Sequence, residues 1–195
     1  MTIPLNCDRT SNPIAENADF FDIESGSLVL VCGMTGSGKS SFLRLLQSDA
    51  LVGYLTQEPP TNPDNRSYGE RRLAQIKDLL AQNPDVLLLD EPTTGLDPVV
   101  STSLARALVE KNKHEGITMI IAESNISEFI DSCDRIIFLV DRKIVFDGNA
   151  QDFVLAVGSK GSPYLSSLPI CVQVAMIRSA KISTEAGHDA AAGLY

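Results

Sequence analysis

The sequence predicts an α/β domain, a mostly parallel sheet flanked by helices, and three observations carry that expectation. Short, wholly apolar runs recur along the chain: LVLVC at 28–32, VLLL at 86–89 and ITMIIA at 117–122. Strands that are apolar on both faces are those buried in a parallel sheet. Stretches with helical spacing alternate with these runs, as crossover connections require. A glycine-rich loop, GMTGSGKS, joins the first such strand to the first helix.

The elements follow in order. Residues 1–18 are polar, contain two prolines and read as coil or an edge strand ahead of the main domain at 19–158. Phe20–Ile23 reads as a short strand before a turn at 24–27. After the strand at 28–32 and the loop at 33–38, residues 39–47 form a helix with Phe42, Leu43, Leu45 and Leu46 on its apolar face. A second strand, LVGYL, spans 51–55. A polar, turn-prone stretch, TQEPPTNPDNRSYGERR, separates it from a helix at 68–82. Leu73, Ile76, Leu79 and Leu80 share a face of that helix, and Asn83-Pro84 stops it. The strand at 86–89 ends in Asp90-Glu91-Pro92. A helix at 99–111, a strand at 117–122 and a short helix at 126–132 come next. Strands at 136–140 and 143–146 flank Asp141-Arg142 as a hairpin. Residues 150–157 and 170–179 are weaker helices, so 159–195 reads as a C-terminal helix and a polar tail.

Composition narrows the function. The chain has 195 residues, enough for one domain with a sizeable core. Its net charge of −9 leaves no basic footprint for nucleic acid, and no nucleic-acid partner is expected. The pairs Arg71-Arg72 and Arg142-Lys143 read as solvated faces. Cys7, Cys32, Cys133 and Cys171 form no CxxC pair, so neither a zinc site nor a disulfide framework is indicated. Cys32 is expected to be a small buried hydrophobe. MTIPLNCDRT lacks the apolar core of a signal peptide, and no run is long enough to span a bilayer. The expected compartment is the cytoplasm, with any work at a membrane done through a partner.

GMTGSGKS (Gly33, Met34, Thr35, Gly36, Ser37, Gly38, Lys39, Ser40) fits G-x-x-x-x-G-K-[ST] between an apolar strand and a helix. Glycines let backbone N–H groups turn inward around phosphate oxygens. Lys39 supplies a point charge, Ser40 a hydroxyl for Mg²⁺, and the helix start a positive dipole end; Ser41 is counted with them among the cofactor-binding residues. In VLLLDEP, Asp90 at a strand tip suits a Mg²⁺ site. Glu91 beside it suits a general base for an attacking water.

The order of phosphate loop, Gln57, SYGERR, Asp90-Glu91 and GLDP resembles the ATP-binding cassette (ABC) ATPase family, over most of 19–155. The resemblance implies a P-loop NTPase fold, ATP and Mg²⁺ as ligands, and a head-to-tail dimer with itself or a homologous ATPase subunit. It implies that Gln57 senses Mg²⁺ and the γ-phosphate. It implies that Ser67, Gly69 and Glu70 form the signature that contacts nucleotide on the other protomer, and that Asp97 lies at the dimer interface. TGSGKSSFLRLL, DEPTTGLDP and SSLP at 166–169 look closest to ATPases of energy-coupling-factor importers. That similarity implies a transmembrane subunit on a separate chain and a place at the cytoplasmic face of the membrane. A regulatory subunit without hydrolysis, or a soluble ABC ATPase in DNA repair or translation, are the other readings.

Three departures from the family stand out. Only EPPTNPDNR separates Gln57 from Ser67, so the helical subdomain expected there is vestigial, and the antiparallel region is reduced. Ser124 occupies the place of the switch histidine, and slower hydrolysis is expected. Glu123 beside it is expected to be solvated. No aromatic residue near Thr10–Pro13 offers a platform for adenine, and Phe20 and Phe21 read as core. Neither His114 nor His188 has a catalytic context.

Overall fold

A computed structural model describes residues 2–5, 21–47, 52–57 and 67–158. The expectations for EPPTNPDNR, for Phe20, for most of 1–18 and for 159–195 lie outside these residues. Eight strands and four helices are ordered along the described chain. They are β1 (Thr2–Leu5), β2 (Phe21–Glu24), β3 (Leu28–Cys32), α1 (Lys39–Leu45), β4 (Val52–Leu55), α2 (Tyr68–Ala81), β5 (Val86–Asp90), α3 (Pro98–Glu115), β6 (Thr118–Glu123), β7 (Arg135–Val140), β8 (Lys143–Gly148) and α4 (Ala150–Gly158).

The main sheet has the order β4-β5-β6-β3-β7-β8. Its first five members run parallel, and β8 closes the edge as an antiparallel hairpin with β7. Strands β1 and β2 pair antiparallel as a separate ribbon. Arg135 ties that ribbon to the sheet: its guanidinium forms a fork on Asp147 and also donates to the carbonyl of Asp22 at 2.9 Å.

Alternation along the strands builds two cores. Leu87 and Leu89 of β5 face one side with Leu30, Ile121 and Phe138, under α2, α3 and α4. Val86 and Leu88 face the other with Val31, Ile120 and Leu139, under Phe42 and Leu43 of α1. Such double-sided burial is why these strands read as continuous apolar runs. Cys32 belongs to the first core and is fully buried, with its thiol pushed far up by that burial.

Two of the expected helices differ in the structure. The helix expected at 126–132 is a single 3-10 turn, Ile126–Glu128, followed by further tight turns. Its two buried anchors, Ile126 and Phe129, are only three residues apart, so one turn suffices to seat both. The helix expected at 99–111 runs longer, over Pro98–Glu115. Asp97 caps its start, Pro98 stands in its first turn, and Gly116 ends it at φ 68°.

Asn112, buried near the end of α3, donates to the carbonyls of Gly26 and Ile117 at 2.8 and 2.9 Å. It pins the helix end to the turn that launches β3. Asn112→Ala is expected to lower stability by about 1–3 kcal/mol, since two partly buried carbonyls lose a donor. Urea unfolding followed by circular dichroism measures this, and an unchanged midpoint would show that the pin is dispensable.

Candidate functional site

All five parallel strands point their carboxyl ends at one edge of the sheet. In open α/β sheets that edge is where ligands bind. The loop after β3 turns sharply: Gly33 is buried at φ 148°, where a Cβ would lie 2.4 Å from the Leu139 carbonyl oxygen. Gly38 caps α1 at φ 106°. Thr35 and Gly36 are exposed, as is Met34, while Ser37 is buried. The β7–β8 turn supports the loop from behind, through an Arg142 N–H donated to the Ser37 carbonyl at 2.9 Å. Thr35, Gly36, Gly38, Lys39, Ser40 and Ser41 line a cavity of about 270 Å³ with Gln57, Glu91 and Arg142.

Lys39 is only 4% exposed. Its ammonium donates to the carbonyls of Gly33 and Met34 and, at 2.9 Å, to the hydroxyl of Ser124. It also lies 3.5 Å from Glu91 Oε1. Ser124 in turn donates to Glu91 Oε1 at 2.8 Å. Gln57 Nε2 donates to Glu91 Oε2 at 3.0 Å, and Thr94 Oγ1 to the same oxygen at 3.3 Å. Burial pushes the Glu91 carboxyl up, but the Ser124 bond, the Lys39 charge and the bonds from Gln57 and Thr94 together outweigh it. The carboxyl is held below its ordinary value. Glu91 is therefore ionised and saturated with donors.

Asp90 behaves oppositely. It is 1% exposed, and neither carboxylate oxygen has a hydrogen-bond partner among the described residues. Burial pushes its carboxyl up. The nearby Ser40 hydroxyl acts against that burial, and a buried carboxylate so poor in donors fits a cation ligand. With the Ser40 hydroxyl and the Gln57 amide oxygen, it would make a hard-oxygen set suited to Mg²⁺.

The start of α2 is built around a capping box. Ser67 Oγ accepts from the Glu70 N–H, and Glu70 Oε2 accepts from the Ser67 N–H at 2.8 Å. Gly69 lies against Leu96, and Gly95 against the ring of Tyr68, whose hydroxyl donates to the Gln57 carbonyl. Asp97 is exposed and accepts from the Val99 N–H. The structure thus brings Gln57, Lys39, Glu91 and Ser124 into direct contact. Ser67, Gly69, Glu70 and Asp97 lie on neighbouring loop ends.

Two residues expected to be solvated are not. Arg72 is fully buried, and its guanidinium donates to the carbonyls of Thr56, Asp90 and, at 2.9 Å, Glu91. It joins α2, the Gln57 loop and the tip of β5. Tyr68, Arg72 and Ile76 recur every four residues on one helix face, and that spacing was the signal that could have found it. Glu123 is 1% exposed and accepts from the N–H and hydroxyl of Thr93. A strand-ending acid is ordinarily solvated, so the sequence carried no sign of its burial.

A phosphate loop after β3, with an acidic pair at the tip of β5 two strands away, defines a P-loop nucleotide-binding fold. No family model matches the chain. The chain is similar to ATP-binding proteins of ABC transporters. It is 41% identical over 88 residues to an energy-coupling factor transporter ATP-binding protein of Thermotoga maritima, covering 45% of this chain and 33% of the relative. It is 36% identical over 86 residues to one from Clostridium perfringens, covering 44% and 30%. A methionine import ATP-binding protein of Oceanobacillus iheyensis is 25% identical over 146 residues, covering 74% and 43%. The chain therefore matches less than half the length of each of these relatives. Among solved structures, an ATP-binding cassette dimer in a post-hydrolysis state with ADP and Pi superposes with a TM-score of 0.61, at 18% identity, covering 77% of this chain and 99% of that one. The cbiO1 protein of Clostridium perfringens, part of the cbiONQ transporter complex, gives 0.58 at 21% identity, covering 70% and 82%. The fold is that of an ABC ATPase domain.

Arg72→Lys keeps the charge but not the fork that reaches three carbonyls. It is expected to cost on the order of 3 kcal/mol. Urea unfolding of the variant measures the loss, and wild-type stability would show that the three bonds contribute nothing.

Proposed function

We propose that the chain binds ATP with Mg²⁺ and hydrolyses it slowly, as the nucleotide-binding subunit of an ABC-type importer. The observation that carries this is the contact of Lys39, Gln57, Glu91 and Ser124, drawn from four separate stretches, at the mouth of the phosphate loop.

The phosphate-loop N–H groups and Lys39 bind the phosphates. Mg²⁺ held by Asp90, Ser40 and Gln57 would neutralise charge on the phosphate oxygens. An anion at the loop competes with Ser124 and Glu91 for the Lys39 ammonium. Once Lys39 turns away, Glu91 loses its charge partner and becomes a better base toward water. Ser124, Gln57 and Thr94 then remain as neutral donors beside it. A serine cannot carry the positive charge that stabilises an anionic transition state, which supports slow turnover.

The exposed start of α2, with Ser67 and Gly69, and the exposed Asp97 fit a face that meets a second ATPase subunit head to tail. The relatives' names, energy-coupling factor transporter and methionine import, support an importer with its transmembrane subunit on a separate chain. The proposal includes a place at the cytoplasmic face of the membrane. A regulatory subunit without hydrolysis is the second reading, favoured by the saturated state of Glu91.

Steady-state phosphate release from ATP decides between them. Glu91→Gln is expected to lower kcat by about 100-fold or more, as loss of a general base does. An unchanged rate assigns the regulatory role instead. Ser124→His is expected to raise kcat by about tenfold, and no gain would count against the account of slow turnover. Light scattering on Glu91→Gln should show a dimer only with Mg-ATP, and a persistent monomer that binds ATP would point to an obligate different partner.

A further inference from the structure

The turn after β5 carries Glu91 and is gripped from two sides. Arg72 of α2 holds the carbonyls of Asp90 and Glu91. Across from it, the end of β6 holds the turn through consecutive residues. Ser124 donates to Glu91 itself, while Glu123 Oε1 accepts from Thr93 twice, at 3.0 Å from its N–H and at 2.6 Å from its hydroxyl. Inside the turn, the Thr94 N–H donates to the Glu91 carbonyl and the Leu96 N–H to the Thr93 carbonyl, both at 3.2 Å. Glu91 itself sits at φ 47°, a left-handed conformation unusual for a residue with a side chain. Such a conformation persists only when its surroundings over-determine it. β6 supplies that constraint at two points: the Ala122 carbonyl accepts the Glu91 N–H at 2.8 Å, and Glu123 holds Thr93 two residues on.

We propose that Glu123 is a positioning residue that acts through Thr93, holding the 91–97 turn so that Glu91 faces the phosphate loop. The proposal rests on the reading of the site as ATP-hydrolysing. The charged groups around Glu123 are Glu91 on the turn, Lys39 on α1 and Arg72 on α2. Cys32, its register partner on β3, carries a thiol kept protonated by burial. Burial pushes the Glu123 carboxyl up to about 7, against the Thr93 bonds that lower it. Both Thr93 bonds need only an acceptor at Oε1. The ionised acid, the neutral acid protonated on its other oxygen and the amide of glutamine all supply one. Alanine supplies none.

A carboxyl whose value rises on folding binds its proton more tightly folded than unfolded. Its contribution to stability is fully present below its ordinary 4.5 and falls as the pH rises through about 7. Glu91, held low, contributes above 4.5 and loses that contribution in more acid solution. The two acids thus act in different pH windows.

The test compares wild type, Glu123→Gln and Glu123→Ala as full chains. In the nucleotide-free proteins, Glu123→Ala should speed hydrogen exchange at the Thr93 and Leu96 amides by about tenfold or more, while Glu123→Gln keeps them protected. In single-turnover ATP cleavage, Glu123→Ala should lower the rate by about 100-fold with ATP affinity unchanged, because a misplaced base fails only in the chemical step. Glu123→Gln should restore most of that rate and flatten the loss of stability between pH 5 and pH 8. Unchanged exchange in Glu123→Ala overturns the proposal. So does equal impairment of both variants, or a loss of affinity matching the loss of rate. A wild-type protein that cleaves no ATP would sink the hydrolytic reading, and the exchange comparison would still decide whether Glu123 holds the turn.

Discussion

A lysine ammonium cannot be buried without oxygens around it, and Lys39 is almost wholly buried. Its oxygens come from the phosphate loop, from Ser124 at the end of β6 and from Glu91 at the end of β5. Those three places are far apart in sequence. They meet because β5, β6 and β3 are adjacent and parallel, with carboxyl ends on one edge. The charge of Lys39 therefore sets the geometry of the site in the absence of ligand. Under the proposed function, a phosphate entering the loop would replace the same contacts, so ligand binding and release of Glu91 would be one event.

Arg72 is the second buried cation among the described residues, and its partners are carbonyls rather than carboxylates. It is satisfied by loop ends: Thr56 before Gln57, and Asp90 and Glu91 at the strand tip. The start of α2, which carries Ser67 and Gly69, is thereby fastened to the residues proposed to hold metal and activate water. Tyr68 adds a ring against Gly95 and a bond to the Gln57 carbonyl. A displacement of α2 by a partner subunit would pull directly on the site. In the proposed importer, this is the physical route by which the second protomer senses what the first has bound.

Glu91 and Asp90 are neighbours with opposite environments. Glu91 has three hydrogen-bond donors and the Lys39 charge and is held ionised, while Asp90 has little more than the nearby Ser40 hydroxyl against its burial and is pushed toward its neutral form. Environments that separate two adjacent carboxylates in this way assign them different tasks. The donor-poor Asp90 fits a cation, and the donor-rich Glu91 fits a base kept in check until its donors are drawn away.

The sequence by itself determined the sheet and its motifs. Apolar runs such as VLLL at 86–89 have one physical use, burial on both faces, and GMTGSGKS between strand and helix has few alternatives. The roles expected of Asp90 and Glu91 followed from their place at a strand tip. Only the tertiary structure decided which polar side chains are buried. Arg72 was legible in hindsight from its spacing with Tyr68 and Ile76, but a charged residue on a mostly polar helix reads as solvated by default. Glu123 was not legible at all. Its burial depends on Thr93 arriving from thirty residues earlier to satisfy it, and the cost of burying a polar group is set by its neighbours in space rather than by its neighbours in the chain.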